Sequence, residues 1–188
     1  MERPESVFRG KNDGPEKLAD RDIRIVEEGL CGRTTIFEDP LRLGRRGTEL
    51  LPTLLETHTP DAVVLMLGTN DCKTIFGASE EIIGKGIARL LEQINQYADK
   101  MKVLVISPIY LGEKVWQDGY DQEFSPESVE VSKKLEPVYE KVAGKYGKRF
   151  MRAADYASPS EADQEHMDGQ SHKILADAIY RKLEAEIL

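Results

Sequence analysis

The chain has 188 residues, of which 40% are hydrophobic and 32% charged, enough length and apolar content to bury a core as one soluble domain. A net charge of −8 argues against a nucleic-acid surface. No apolar run approaches the roughly 20 residues that span a bilayer, so no membrane partner is expected. Met1-Glu2-Arg3-Pro4-Glu5 opens no signal peptide, and the two cysteines, Cys31 and Cys72, read as reduced thiols of a cytoplasmic protein.

Short β-rich runs alternate with amphipathic helices, which predicts an α/β fold with a parallel sheet. Lys11-Asn12-Asp13-Gly14-Pro15 is turn chemistry with no apolar strand before it. Residues 23–26 (Ile-Arg-Ile-Val) predict the first strand, ending at Gly29. Gly47–His58 predicts a helix with Leu50, Leu51, Leu54 and Leu55 on one face. Residues 62–67 form a continuous apolar run, suited to a central strand buried on both faces. Residues 79–99 predict a helix with Ser79 as N-cap and Ile82, Ile83, Ile87, Leu90, Leu91 and Ile94 as its apolar stripe. Residues 102–106 predict the next strand, stopped by Ser107-Pro108. Residues 110–125 predict an irregular loop containing Tyr110, Trp116 and Tyr120, suited equally to packing or to lining a pocket. Ser125-Pro126 starts a helix running to about Tyr146, with a kink expected at Pro137. Residues 148–151 predict the last strand. Residues 171–188 predict a closing helix with Ile174, Leu175, Ala178, Ile179 and Leu183 facing inward. Four strands are thus predicted.

Three segments carry candidate chemistry. Asp163 and His166 stand three residues apart, close enough for the carboxylate to reach the imidazole within one turn. An imidazole oriented in this way can cycle a proton near neutral pH. Asn70, in Gly68-Thr69-Asn70-Asp71, follows the apolar run, where α/β sheets place ligands, and its amide can donate to a developing oxyanion. Gly32, in a tight loop after the first predicted strand, offers a backbone N–H. A lone Asp-x-x-His is common by chance, as is a strand-ending Gly-Thr-Asn-Asp. Their order and their strand-end positions together are much more specific. His58 reads as a helix-end histidine. Nothing places a base beside Cys31 or Cys72, which disfavours a cysteine nucleophile. No metal-ligand spacing or phosphate-cradling Gly loop is present, so neither metal nor cofactor is expected.

Glu27-Glu28-Gly29-Leu30-Cys31-Gly32-Arg33-Thr34-Thr35, Asp39-Pro40-Leu41-Arg42, Leu67-Gly68-Thr69-Asn70-Asp71 and Asp163-Gln164-Glu165-His166-Met167 follow one another in order. Together with Ser171-His172-Lys173-Ile174-Leu175-Ala176 they resemble the SGNH (GDSL-type) hydrolases, especially the arylesterase and acyltransferase-like branch. The resemblance covers about residues 23–188. It implies a three-layer α/β/α, flavodoxin-like parallel sheet, with family strand order 2-1-3-4-5. It implies Asp163 and His166 as triad members and Gly32 and Asn70 as oxyanion-hole donors. It implies a small-molecule ester substrate and a serine acyl-enzyme. Self-association among the acyltransferase-like relatives leaves a homo-oligomer open. His172, four residues after Asp168, falls where the family begins a helix and is not the catalytic histidine. In one departure, Gln164 stands where the family usually has glycine.

The family's attacking serine lies in a Gly-Asp-Ser motif after the first strand, and none of the 188 residues forms that motif. The nucleophile is therefore unknown. Losing that strand would leave buried backbone groups unpaired at about 1–3 kcal/mol each, against a total stability of about 5–15 kcal/mol. The tail Glu2-Arg3-Pro4-Glu5-Ser6-Val7 resembles the family's segment after the serine loop. The expectation is a single domain over residues 1–188 that begins after its first strand, leaving these 188 residues poorly active. The alternatives are a non-catalytic relative that serves as a binding or scaffold module, or a surrogate nucleophile.

Overall fold

The computed structural model describes residues 24–187. Within that span the chain runs α1 (Gly47–His58), β1 (Ala62–Leu65), α2 (Glu80–Tyr97), β2 (Lys102–Ser107), α3 (Pro126–Lys145), β3 (Arg149–Arg152) and α4 (Gly169–Glu186). The sheet is parallel with order β1-β2-β3. Ala62 is in register with Lys102, and Leu104 with Arg149.

Burial along β2 shows why the sheet is covered on both sides. Val103 and Val105 join Ile83, Ile87, Leu90, Leu91, Leu135 and Tyr139 in one core. Leu104 and Ile106 join Met151, Leu175, Ile179 and Leu183 in the other. Successive side chains of a strand point to opposite faces, so a near-continuous apolar strand requires a helical layer on each. Helices α1, α2 and α3 supply one layer and α4 the other, which makes the predicted three-layer α/β architecture.

The helix starts follow local chemistry. Ser125 forms a capping box with Ser128, each side chain bonding the other's backbone N–H, with Pro126 in the first turn. Ser79 sits at the N-cap of α2 with an extended backbone but makes no side-chain cap bond. Pro137 leaves α3 continuous from Pro126 to Lys145. α4 starts at Gly169, two residues before its predicted start, because Asp168 caps it by accepting from the Ser171 N–H at 2.7 Å. With the helix phased this way, Leu175 and Ile179 point inward while Ile174, predicted to face the core, is 44% exposed. Ile82 likewise leaves the α2 stripe for the surface.

Among the described residues, three strands stand where four were predicted. Residues 24–26 form no strand and Val26 is exposed; no ladder partner lies against them among the described residues. Ile23 falls outside those residues, as do the Lys11–Pro15 turn, the Glu2–Val7 segment and Leu188. The apolar run at 62–67 becomes β1, an edge strand among the described residues, with only Leu65 fully buried within it. No described helix is long and apolar enough to cross a membrane.

Candidate active site

The loop between β3 and α4 brings Asp163 and His166 together. Asp163 Oδ2 lies 2.8 Å from His166 Nδ1. Its other oxygen accepts from the backbone N–H groups of Glu165 at 3.0 Å and His166 at 2.9 Å, and from Ser160 Oγ at 3.2 Å. A carboxylate accepting from N–H groups two and three residues ahead folds its own turn, so Asp-x-x-His spacing becomes geometry directly. Burial pushes the Asp163 carboxyl up, but these N–H bonds and the imidazole more than offset it and hold the group below the usual carboxylate range. With Nδ1 engaged, Nε2 is the nitrogen left to exchange protons.

Gln164 has φ +62°, a left-handed backbone that favours glycine. It is only 5% exposed and interlocks with the 110–125 loop. Its carbonyl accepts from the Gly112 N–H at 2.7 Å, and its Oε1 accepts from the Lys114 N–H at 3.4 Å. Its Nε2 donates to Glu161 at 3.1 Å. These bonds hold the turn that glycine would form without strain.

On the other side, Asn70 opens a 3₁₀ turn, Asn70–Cys72, just past β1. Its Nδ2 donates to the Arg33 carbonyl at 3.3 Å; an amide nitrogen carries two hydrogens, and this bond uses one. That contact places Asn70 beside the turn containing Gly32, closed by an Arg33 N–H bond to Leu30 O at 3.1 Å. Gly32 has φ +77°, and a Cβ there would lie 3.1 Å from Arg42 Cδ, so both backbone and space call for glycine. A cavity of about 200 Å³ opens here, lined by residues 28–30, Arg33 and residues 66–70.

A fully buried carboxylate holds the two segments together. Asp71 accepts from the Thr35 N–H at 2.9 and 3.0 Å and from the Thr35 hydroxyl. Burial pushes its carboxyl up to about 6, against the opposing pull of the Thr35 bonds. Beneath it, the Tyr139 hydroxyl donates to Leu67 O at 2.8 Å. A buried ion cluster extends the same wall. Lys73, 3% exposed, lies 2.8 Å from Glu123 and 3.7 Å from Asp39, and Arg42 reaches Glu123 at 2.9 Å and Asp39 at 3.3 Å.

The other candidates fall elsewhere. His58 ends α1 and pairs with Glu28 at 3.0 Å. Cys31 is exposed. Cys72 is buried, and burial together with the neighbouring Asp71 pushes its thiol well above the range of a reactive thiolate. The Tyr110 hydroxyl donates to Glu136 at 2.7 Å. Trp116 is exposed, and Tyr120 half-buried. Among the described residues, no three or more His, Cys, Asp or Glu side chains are grouped to hold a metal ion. Sequence reasoning missed Asp71, Lys73 and Glu123, whose roles arise from contacts far apart in the chain, and Glu165, the immediate neighbour of His166. Only position 164 carried a signal, through the glycine usual there.

A carboxylate–imidazole pair and an amide turn thus stand beyond the strand ends of a parallel α/β sheet. The chain belongs to the GDSL-like lipase/acylhydrolase family, whose sequence model matches residues 6–173. Among solved structures it is similar to Est24, a carbohydrate acetylesterase from Sinorhizobium meliloti, at 33% identity and TM-score 0.77, over 85% of this chain and 77% of that one. It is similar to a second carbohydrate acetylesterase family member from S. meliloti at 29% identity and TM-score 0.83, over 90% and 83% of the two chains. The aryl esterase of M. smegmatis is similar at 29% identity and TM-score 0.79, over 87% and 79%. No curated protein sequence matches the chain.

Proposed function

We propose that this protein acts on small carboxylic esters through a serine acyl-enzyme. The observation that carries the proposal is the 2.8 Å contact between Asp163 and His166 Nδ1, which leaves Nε2 for proton transfer. His166 takes the nucleophile's proton and later returns it to the leaving group, while Asp163 fixes its orientation. The Asn70 amide and the Gly32 N–H stabilise the oxyanion; such a donor contributes about 3–4 kcal/mol at the transition state. Acetyl esters of sugars or phenols are the first substrates to try, given the acetylesterases and the aryl esterase that the chain resembles.

The proposal demands a serine beside His166 Nε2, and no Gly-Asp-Ser stands in these 188 residues. The test is turnover of p-nitrophenyl acetate by the protein expressed from its own gene, with His166→Ala beside it. We expect turnover in the parent and a loss of about 10²–10⁴-fold in the variant; equal rates would remove His166 from the mechanism. Added alcohol distinguishes hydrolysis from acyl transfer by the product formed. The missing motif favours one second reading, a non-catalytic module that binds esters. That reading predicts saturable ligand binding with no turnover.

A further inference from the structure

Asp163 is not the only carboxylate beside the candidate base. Glu165 Oε2 lies 3.8 Å from the same nitrogen, His166 Nδ1. The two acids differ in surroundings. The Asp163 side chain is 44% exposed, and its oxygens are occupied in folding the turn. The Glu165 side chain is 13% exposed. Water screens a charge at the surface far more than one facing the interior, so the farther acid exerts the less attenuated field on the ring. Glu165 is faced by His166 and Asp163 of its own loop, by Asp121 of the 110–125 loop and by the buried Lys73 of the turn after β1.

We propose that Glu165 is a positioning residue for His166, a second carboxylate on the same imidazole nitrogen that stabilises the imidazolium formed when His166 takes a proton. The inference rests on His166 being the base, and it divides the work. Asp163 sets the ring's orientation through its short contact, and Glu165 adds negative charge on the protein side. When His166 accepts the nucleophile's proton, the positive charge appears between two carboxylates; when the proton passes to the leaving group, the ring is neutral again. The Lys73 cation, itself paired with Glu123 at 2.8 Å, favours the ionised form of Glu165. Burial pushes the Glu165 carboxyl above its ordinary range, with Asp121 and Asp163 acting the same way, while His166 and Lys73 pull it down. Asp163 is shifted the opposite way, so the two acids ionise in different pH ranges.

Interacting groups titrate in steps that belong to the pair, and this can be read without any turnover. The chain has three histidines, so their ring Cε1–H resonances can be separated by NMR. In the parent chain the His166 resonance should report the ionisation of Glu165 as a step above that of Asp163. Glu165→Gln should lose that step, whereas Asp163→Asn should keep it. Superimposable His166 curves in the parent and Glu165→Gln would overturn the proposal. Unchanged His58 and His172 curves report an intact fold. If they move, Glu165→Asp decides: the step of residue 165 retained supports the proposal, and its loss refutes it. In an active form of the protein, Glu165→Gln should lower kcat by about two- to fivefold at constant KM, the factor carried by a partly exposed ion pair. A protein with no esterase activity would sink the hydrolase proposal, yet the titration would still give its own answer.

Discussion

The two halves of the candidate site are built by opposite means. The Asp163–His166 pair is closed locally, with partners two and three residues apart and its two side chains about half exposed. The Asn70 turn is held by contacts across 36 and 37 residues, to Thr35 and Arg33, around a carboxylate with no exposure. A local turn keeps its geometry when the packing around it changes. A long-range clamp ties its geometry to the stability of the core. Damage to the core should therefore reach Asn70 well before it reaches the dyad.

Gly68→Ala should break this contrast most severely. Gly68 has φ +128°, and a Cβ there would collide with the Tyr139 hydroxyl, which is bonded to Leu67 O. We expect a loss of about 3 kcal/mol or more in chemical denaturation, the scale of a core clash added to backbone strain. A loss below about 1 kcal/mol would show that the clamp yields easily. Comparable in size but confined to catalysis, Asn70→Ala should cut turnover by about 10²–10³-fold on the hydrolase proposal. Its Tm should barely change, since it gives up a single 3.3 Å bond to Arg33 O.

Asp71→Asn sharpens the comparison through pH. The carboxyl of Asp71 is raised from 3.8 to about 6 by burial, so between those values the folded state holds a proton that the unfolded state has released. Its contribution to stability is therefore greatest below about pH 4 and declines as pH rises to about 6. The asparagine lacks this dependence. The Tm of the parent relative to Asp71→Asn should fall across that window, and a constant difference would refute the burial argument. The smallest effect belongs to the local half. Gln164→Gly relieves a left-handed backbone costing about 1–2 kcal/mol but gives up the side-chain bonds to Lys114 and Glu161. The net change in stability should stay within about 1 kcal/mol, and a larger loss would show that the interlock with the 110–125 loop outweighs the strain.

What could be read from the chain alone was what local chemistry decides. The helix at Gly47–His58, the Ser125-Pro126 start of α3 and the two-sided apolar pattern of β2 follow from propensity, capping and periodicity. The Asp163–His166 contact follows from a three-residue spacing that folds its own turn. Tertiary structure decided the rest. A strand exists only with a partner, so among the described residues, 24–26 are not one, and β1, from the run at 62–67, lies at an edge. The inward face of α4 was chosen by packing, with Leu175, Ile179 and Leu183 against Leu104, Ile106 and Met151 and Ile174 left outward. The Asp71–Thr35 clamp and the Lys73–Glu123 cluster join residues whose spacing in sequence carries no signal, and only burial distinguishes Glu165 beside His166. Burial makes these groups matter, and burial belongs to the folded molecule as a whole.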